Sequence, residues 1–247
     1  MQLHRIVFPV AGSTNNTAKE LIRSQAIEHG TIIQALDQSA GRGYGTNTWE
    51  SEPGKNITAT WVLKPGFLYP SRQFAITMVL SLAVYETVVF FTGEHSPVSI
   101  KWPNDVYYKD QKIAGILVEN TILGETIREC FAGIGLNVNQ LHFLSDAPNP
   151  VSLAQICQKE ISTDHCLEVL NQNILSGYEL LQNNQTQLLE QSYHQKLYRL
   201  NTWSTYESQG KIFRGKIETT DTYGRLVIRR EDQSLHMFDF KEVRFVL

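Results

Sequence analysis

The feature of this sequence that most limits its fold is a long apolar segment at residues 74–91. Its length suits either a membrane span or a helix buried in a protein core. The segment contains Glu86, which would be costly inside a lipid bilayer. Ser71 before it and Gly93 after it are typical helix caps. The segment therefore predicts a core helix that the rest of the chain must surround, and no membrane contact is expected.

Shorter elements are predicted around this helix from apolar periodicity and turn residues. Residues 14–29 should form an amphipathic helix that Gly30 ends. The predicted strands are residues 31–36, 56–63, 98–101 continuing through 106–108, 112–122 and 127–138. Further helices are predicted at residues 152–160, at 164–181 and up to about 197. Because short turns separate the last three strands, we expect a mostly antiparallel meander.

The final segment has a different character. From about residue 202 only short strands are predicted, at residues 211–218, 225–230, 235–238 and 243–246. Such a run suits a small barrel. We therefore predict two domains, residues 1–200 and residues 201–247. The fold class is α+β, with helices packed on a mixed or antiparallel sheet and a small β-barrel after them.

The composition of the chain argues against some classes of function. The 247 residues carry a formal net charge of −3, whereas proteins that coat nucleic acid usually have a basic excess. Three cysteines, Cys130, Cys157 and Cys166, include no CxxC pair and cannot all pair within the chain. We expect free thiols, buried or partly buried, in a reducing cytosol. The first ten residues do not resemble a signal peptide, so a cytoplasmic location is expected.

A glycine-rich polar stretch, residues 37–55, lies between two predicted strands and is a candidate functional loop. Within Gly41-Arg42-Gly43, the glycines let backbone N–H groups approach a ligand, and the guanidinium of Arg42 suits a phosphate or carboxylate. The loop is neither a Walker loop nor a GxGxxG motif, since Thr46 stands where the third glycine would be. A mobile surface loop with one solvated arginine is the alternative that this motif alone leaves open.

Three further motifs follow along the chain. Residues 101–105 place a lysine, an amide and a carboxylate at a strand break, since Pro103 interrupts the strand pattern. Lys112 opens an apolar strand that contains Gly115, and a strand glycine often marks the close approach of a ligand. Residues 133–139 contain two glycines and two asparagines. The structural alternatives are a polar corner, a bulge and an Asx-type turn.

Together these motifs indicate a site for adenylate formation. A carboxylate that attacks a phosphate meets charge repulsion, which cations and Mg²⁺ relieve. Asp105 could hold the metal or a lysine. Trp49 or Trp102 could stack on a purine or cover an apolar ligand. The cations that the motifs bring to strand ends of one sheet are Arg42, Lys101 and Lys112.

The order of the motifs resembles that of biotin–protein ligases. The resemblance spans nearly the whole chain and rests on residues 13–15, 37–43, 101–105, 112–119 and 133–137. GRG, KWPND and K-x-AGIL are specific in combination, although each alone is not. The resemblance implies a catalytic domain like those of class II aminoacyl-tRNA synthetases and biotin ligases, with an SH3-like barrel after it. It also implies ATP and biotin as substrates, Mg²⁺, a biotinyl-5′-AMP intermediate, and the biotin carboxyl carrier protein or domain of a carboxylase as partner.

The resemblance also implies a role for each site residue. The implied biotin ligands are Ser13, Thr14, Asn15, Gln38, Gly41, Arg42, Gly43, Lys112, Gly115 and Leu117. The implied ATP ligands are Arg42, Trp49, Lys101, Asn104, Lys112 and Asn137. Arg42, Lys101, Lys112 and Asp105 would be catalytic, and Asp105 would bind Mg²⁺. The loop at residues 37–55 would close and protect the adenylate from water. For Ser13, capping of the first helix is the alternative.

Two positions depart from the family pattern. Many relatives carry a second basic residue just after GRG, where this chain has Tyr44, so Tyr44 is given no phosphate role. Ser13 comes too early for the helix-turn-helix domain that opens many bacterial relatives, so a short form that does not bind DNA is expected. A monomer or weak homodimer is expected.

Two other functions remain open. A lipoate–protein ligase or octanoyltransferase shares the general architecture, although KWPND with GRG favours biotin. A non-enzymatic binder, either a repressor or a biotin-binding module, would not need the phosphate-neutralising cations.

Overall fold

A seven-stranded mixed sheet forms the centre of the protein, in a computed structural model that describes residues 1–24, 26–144 and 149–246. Its strands are β1 His4–Ala11, β2 Thr31–Gln38, β3 Ile57–Leu63, β4 Val98–Lys101, β5 Asp105–Tyr108, β6 Gln111–Leu123 and β7 Thr126–Leu136. The order across the sheet is β1-β2-β3-β7-β6-β5-β4. Strands β1 and β2 are parallel and the other neighbouring pairs are antiparallel, which confirms the mixed sheet and the meander.

Helices cover both faces of this sheet. They are α1 Thr14–Arg23, α2 Phe74–Thr92, α3 Leu153–Cys157, α4 Thr163–Gln182 and α5 Thr186–Gln195. All seven residues of β3 are buried. Successive side chains of a strand point to opposite faces of the sheet, and here helices cover both faces. Val62 packs with Ala18 of α1 on one side. Trp61 lies in the larger core on the other side, where its indole N–H donates to Asn171 of α4 at 2.9 Å.

The apolar segment forms the core helix that the sequence predicts. Among the described residues it is the one helix long and apolar enough to span a membrane, but eleven of its nineteen residues are buried within the protein. Glu86 lies at the helix surface and pairs with Lys196 at 3.6 Å. Gly93 is the C-cap, as predicted. The prediction of Ser71 as N-cap is wrong, because Pro70 already starts a short 3₁₀ turn and Gln73 becomes the cap.

Three predicted boundaries are wrong. The helix expected at residues 14–29 ends at Arg23, where the Ser24 hydroxyl donates to the carbonyl of Leu21 and competes with the helical pattern; Gln25 lies outside the described residues. The run predicted from residue 98 to 108 is a hairpin of β4 and β5, because the chain reverses around Pro103. Helix α3 stops at Cys157, because Gln158 takes a positive φ of 54°.

A second, antiparallel sheet, here named the C-terminal sheet, contains β8 Trp203–Ser208, β9 Lys211–Thr220, β10 Leu226–Arg230, β11 Leu235–Phe238 and β12 Arg244–Phe245. The strand order is β11-β10-β9-β8-β12. Four of these strands are predicted, whereas β8 is not. The rings of Phe213 and Phe238 stack at 5.7 Å although β10 separates their strands, so the sheet curls around an aromatic core. Barrel closure and the domain limits at 200 and 247 stay predictions, and Leu247 lies outside the described residues.

The two sheets contact each other beside the turn between β4 and β5. The indole of Trp102 in this turn donates to the carbonyl of Gly224 in the C-terminal sheet at 2.8 Å. Tyr198, which follows α5, packs between Tyr107 of β5 and Phe245 of β12, with its ring tilted against both. The C-terminal sheet therefore lies close to the KWPND motif and can contribute to the same cleft.

Candidate functional site

A cleft of about 440 Å³ lies between the face of the central sheet, the 41–49 loop and the C-terminal sheet. Most of the residues implied by the resemblance line it: Ser13, Thr14, Asn15, Gln38, Arg42, Gly43, Trp49, Lys101, Asn104, Asp105, Lys112, Gly115 and Leu117. The structure thus brings together motifs that are far apart in the sequence. Gly41 and Asn137 are not part of the cleft lining.

One end of the cleft is a polar pocket lined by Thr14, Asn15 and Gln38, and the buried Thr60 contacts the first two of them. The backbone N–H of Thr14, at the start of α1, donates to the side-chain oxygen of Gln38 at 2.9 Å. The Thr60 hydroxyl lies 2.8 Å from the Thr14 hydroxyl and 2.6 Å from the side-chain oxygen of Asn15. Ser13 occupies the N-cap position, but its side chain makes no capping hydrogen bond. Its hydroxyl is thus not committed to the helix, which weakens the capping alternative.

The side chain of Asn15 packs against Gly133, where the lack of a Cβ atom leaves room for it. Its amide nitrogen donates to Glu119 at 2.8 Å, and the residue is 2% exposed. A Cβ atom on Gly133 of β7 would lie 2.5 Å from the side-chain oxygen of Asn15, closer than non-bonded atoms approach. Gly133 therefore allows the amide to rest on the strand and defines the floor of the polar pocket.

The 41–49 loop folds back on itself at the mouth of the cleft. Arg42 and Thr48 form a β-bridge, the N–H of Gly43 donates to Asn47, and the N–H of Trp49 donates to Gly41. Arg42 reaches across the cleft, where its guanidinium donates to Asn16 at 2.8 Å and lies 3.4 Å from the Glu119 carboxylate. The loop thus carries Arg42 toward the polar pocket, although Gly41 itself is buried beneath it.

Glu119 links the loop to the polar pocket, a role that the sequence analysis did not assign. Its carboxylate accepts from Lys19 at 2.7 Å and from Asn15, besides pairing with Arg42. Burial by itself would raise the pKa of Glu119. The hydrogen bonds from Lys19 and Asn15, together with the charges of Lys19 and Arg42, outweigh burial and hold the pKa below its usual value.

This shift predicts a defined effect of acid. The folded protein favours the ionised form of Glu119 more than the unfolded chain does. The stability that ionised Glu119 contributes is therefore complete above the unfolded pKa near 4.5. It is lost as the pH falls through the lower pKa of the folded state. We expect Glu119→Gln to be less stable than the wild type at pH 6, and the difference to shrink toward pH 3. Urea unfolding of both proteins across this range measures it. A constant difference at every pH would contradict the prediction.

Trp49 packs on the floor of the cleft over Gly115 and Gly135, two glycines that face each other across β6 and β7. A Cβ on Gly135 would lie 2.2 Å from the indole, and one on Gly115 would lie 3.1 Å from it. The indole N–H is buried without a hydrogen-bond partner. Trp49 is implied to pack on adenine, and here it covers Gly115, which is implied to line the biotin tail.

The other end of the cleft carries the cations. Lys112 pairs with Asp105 at 2.7 Å, and both side chains are about one-quarter exposed. The Lys101 amine donates to the Tyr107 hydroxyl at 3.0 Å. Burial lowers the pKa of Lys101, and the charges of Lys112 and Arg199 lower it further, while Asp105 raises it. This end of the cleft therefore offers positive charge to an anion, and one of its amines, that of Lys101, is partly shielded from water.

Two implied ATP ligands have other partners. The Asn104 amide donates to the carbonyl of Ile116 at 2.5 Å, which ties the turn between β4 and β5 to β6. Asn137 follows β7 and is buried, with its amide nitrogen donating to Val151 at 3.1 Å. The side-chain oxygen of Asn137 is buried and unpartnered. The reading of adenine by Asn137 stays a prediction.

The C-terminal sheet supplies part of the cleft wall, which sequence reasoning missed. No local motif marks these residues, because they reach the cleft only through the packing of the two sheets. The lining residues from this part of the chain are Phe240, Lys241, Val243, Arg244 and Phe245.

Within the described residues, no cluster of three or more His, Cys, Asp or Glu side chains could hold a metal ion. Asp105 is the one carboxylate among the described residues that line the cleft. These residues therefore form no dedicated metal cage. A single carboxylate does suit Mg²⁺ that arrives with phosphates, since Mg²⁺ is commonly held by one or two carboxylates and the substrate's own oxygens.

Comparisons with known proteins identify the family of this chain. The family model described as biotin/lipoate A/B protein ligase family matches residues 7–137. The chain is 36% identical over 141 residues to the bifunctional ligase/repressor BirA of Bacillus subtilis, and 32% identical over 130 residues to a biotin–[acetyl-CoA-carboxylase] ligase of Paracoccus denitrificans. These matches cover 57% and 52% of this chain, and 42% and 53% of the relatives. The chain thus spans about half the length of the curated relatives it matches.

The fold is also that of a solved structure. The biotin protein ligase from Aquifex aeolicus in complex with biotin and ATP superimposes with a TM-score of 0.82 at 23% sequence identity. The superposition covers 98% of this chain and 99% of that one, so it includes the C-terminal sheet. It confirms the predicted fold class.

Proposed function

Because this chain belongs to the biotin/lipoate A/B protein ligase family, we propose that it is a biotin–protein ligase that uses ATP to attach biotin to a lysine of a carrier protein. The observation that carries the proposal is one cleft with a polar pocket at one end and cations at the other. A ligand with a small polar ring at one end and a carboxylate at the other would place the ring in the polar pocket and the carboxylate beside the cations. The names of the matched relatives support biotin in particular.

The polar pocket suits the ureido ring of biotin. This ring presents two N–H donors and one carbonyl acceptor in a rigid plane, and short amide and hydroxyl side chains can satisfy both kinds of group. Thr14, Asn15 and Gln38 are already oriented by their mutual hydrogen bonds, so little side-chain freedom would be lost on binding. The biotin tail would then run over Gly115 toward Lys112, with Trp49 moving to make room.

The first step would join biotin to AMP. A carboxylate oxygen of biotin forms a bond to the α-phosphorus of ATP, and the bond from that phosphorus to the bridging oxygen breaks, releasing pyrophosphate. Two anions must meet for this attack. The amine of Lys112 and the guanidinium of Arg42 would offset their repulsion and stabilise charge in the transition state. Lys101 is the third cation that lines this region.

Mg²⁺ is proposed as a partner of ATP. Asp105 would contribute the protein's carboxylate, and the ion would neutralise charge on the phosphates when bound. Lys112 and Asp105 are paired at 2.7 Å in the structure, so Lys112 would transfer from Asp105 to the substrate anions as they enter.

The second step would transfer biotin to the carrier. The lysine amine of the carrier attacks the carbonyl carbon of the mixed anhydride, the bond to the phosphate oxygen breaks, AMP leaves and the amine loses a proton. Asp105 would hold this amine at the cleft. The 41–49 loop at the cleft mouth would exclude water, which would otherwise hydrolyse the anhydride. The carrier proposed is the biotin-accepting domain of a carboxylase, in line with the name of the Paracoccus relative.

A lipoate–protein ligase belongs to the same family and is the second candidate. Lipoate has no ureido ring, so it would offer the amide and hydroxyl groups of the polar pocket neither the two N–H donors nor the carbonyl acceptor that biotin would. The amide-lined pocket therefore favours biotin. A protein that only binds biotin would leave the cations of the cleft unexplained.

We expect the protein to catalyse exchange between ATP and pyrophosphate that depends on biotin and Mg²⁺. Parallel reactions with lipoate would show no exchange above background. Exchange with lipoate alone would overturn the choice of substrate. A folded protein that exchanges with neither acid, yet binds biotin in calorimetry, would be a binding module.

A further inference from the structure

The side chain of Tyr44 in the 41–49 loop contacts the turn between β11 and β12 of the C-terminal sheet. Its ring meets the ring of Phe240 edge to face, with 4.2 Å between the ring centres. The amine of Lys241 lies 5.1 Å from the same ring. Lys241 also lies so close to the loop backbone that a Cβ on Gly45 would be 2.6 Å from its amine. This group of residues, named the tyrosine contact below, joins two parts of the chain about 200 residues apart.

The tyrosine contact continues to the cation end of the cleft. The Phe240 ring lies 6.0 Å from the ring of Trp102, and Trp102 belongs to the same turn as Asn104 and precedes Asp105. Trp102 is itself fixed by its hydrogen bond to Gly224. The position of the loop is therefore set relative to the turn that carries the phosphate-facing residues.

Without Tyr44, few contacts hold the tip of the loop. Residues 44–48 are exposed, and the loop is rich in glycine, which gives it little preference for one conformation. The loop's other side-chain anchors are Trp49, which packs on the floor of the cleft at the end of the loop, and Arg42, whose ion pair with Glu119 is partly exposed. Exposed ion pairs contribute little, whereas an aromatic pair and a cation over a ring each add favourable contact energy. Tyr44 is thus the main anchor on the C-terminal side of the cleft.

We propose that Tyr44 is a positioning residue, which holds the 41–49 loop and its Arg42 over the cleft by binding to Phe240 and Lys241 of the C-terminal sheet. The proposal rests on the proposed ligase function, because what the closed loop would retain is the acyl-adenylate. It predicts that Tyr44 affects how long the adenylate stays bound and, through the position of Arg42, how fast it forms. A basic residue at this position would instead act on the phosphates directly.

Two measurements on the full chain test it. In the ligand-free protein, trypsin cleavage after Arg42 reports loop opening and does not depend on any reaction. In the protein loaded with biotin and radiolabelled ATP, the loss of bound adenylate after a chase reports retention. We expect Tyr44→Ala to speed both by roughly tenfold, which corresponds to about 1.4 kcal/mol, and to slow adenylate formation by no more than the same factor.

Matched variants separate the contact from general damage. Tyr44→Phe keeps the ring and should behave like the wild type. Tyr69→Ala removes another exposed tyrosine, far from the cleft lining, and should change neither rate. Phe240→Ala should change both rates in the same direction as Tyr44→Ala, and the double variant should be no faster than Tyr44→Ala alone, because Tyr44→Ala already removes the contact with Phe240.

Equal cleavage and retention in Tyr44→Ala and Tyr69→Ala would overturn the proposal, and so would additive effects in the double variant. A wild type that makes no adenylate from biotin would overturn the proposed function and with it the role of Tyr44 in the reaction. The trypsin assay would still show in that case whether the tyrosine contact holds the loop, so the two failures can be told apart.

Discussion

Replacing Lys112 by alanine is expected to lower the rate of biotin-dependent ATP–pyrophosphate exchange by about a thousandfold, the scale found when one transition-state donor is removed. Lys112 lies between the loop and the turn after β4, with Asp105 at 2.7 Å and the Trp49 ring at 5.8 Å. Without it, the attacking carboxylate and the α-phosphate would meet beside an uncompensated Asp105 carboxylate. The substitution would therefore increase the repulsion between these anions and also remove a group that stabilises the transition state.

Two controls make this result specific. Lys109→Ala removes a lysine of the neighbouring hairpin turn, outside the cleft lining, and should leave the exchange unchanged. Lys112→Ala combined with Asp105→Asn removes the unpaired charge, and this double variant should stay far below the wild type. Exchange at the wild-type rate in Lys112→Ala would refute the role given to this lysine.

The substitution Gly133→Ala is expected to weaken biotin binding by about a hundredfold, the scale of a small displacement of a positioning group. The new methyl group would lie 2.5 Å from the side-chain oxygen of Asn15. Asn15 would have to move, and its hydrogen bonds with Thr60 and Glu119 would break or lengthen. The polar pocket would then lose its arrangement, although the cation end would be untouched.

Calorimetric titration with biotin measures this effect directly. Gly66→Ala is a suitable control, because a Cβ there would have no heavy atom within 4 Å. Binding of ATP should change much less than binding of biotin. If Gly133→Ala bound biotin as tightly as Gly66→Ala, Asn15 would not be a ligand that this glycine positions.

Short-range patterns predicted much of the site. The glycine loop, the lysine at the start of β6 and the polar residues at the start of α1 are each local in sequence, and the structure places them in one cleft. The core helix could be predicted equally well, because its apolar residues and the capping Gly93 are adjacent in the sequence. A local pattern is sufficient where a residue's role follows from its neighbours in the chain.

Contacts that depend on strand register were not predictable. Gly115 and Gly135 are opposite each other only because β6 and β7 pair in one register, and this pairing creates the flat surface on which Trp49 rests. The meeting of Arg42 with Glu119 likewise depends on how the loop folds over β6. Glu119 stands in the quoted motif, but nothing next to it in the sequence indicates its partners.

Two strands escaped prediction for physical reasons. Strand β1 contains Pro9, which cannot donate to a ladder and usually argues against a strand, but β1 lies at the edge of its sheet, where proline is tolerated. Strand β8 is largely polar, and of its six residues only Tyr206 is buried. Its pairing with β9 and β12 stabilises it, and these partners are not visible in its own sequence.

The hydrogen bond from Trp102 to Gly224 limits how this protein can be engineered. A chimera that joined residues 1–200 to the C-terminal segment of a relative would keep the indole but replace the turn that offers it a carbonyl. The foreign turn would also have to fit against Phe74, since a Cβ on Gly224 would lie 2.3 Å from that ring. Trp102, Phe74 and the turn at Gly224 therefore have to be transplanted as one unit, and a cut at the apparent border would separate them.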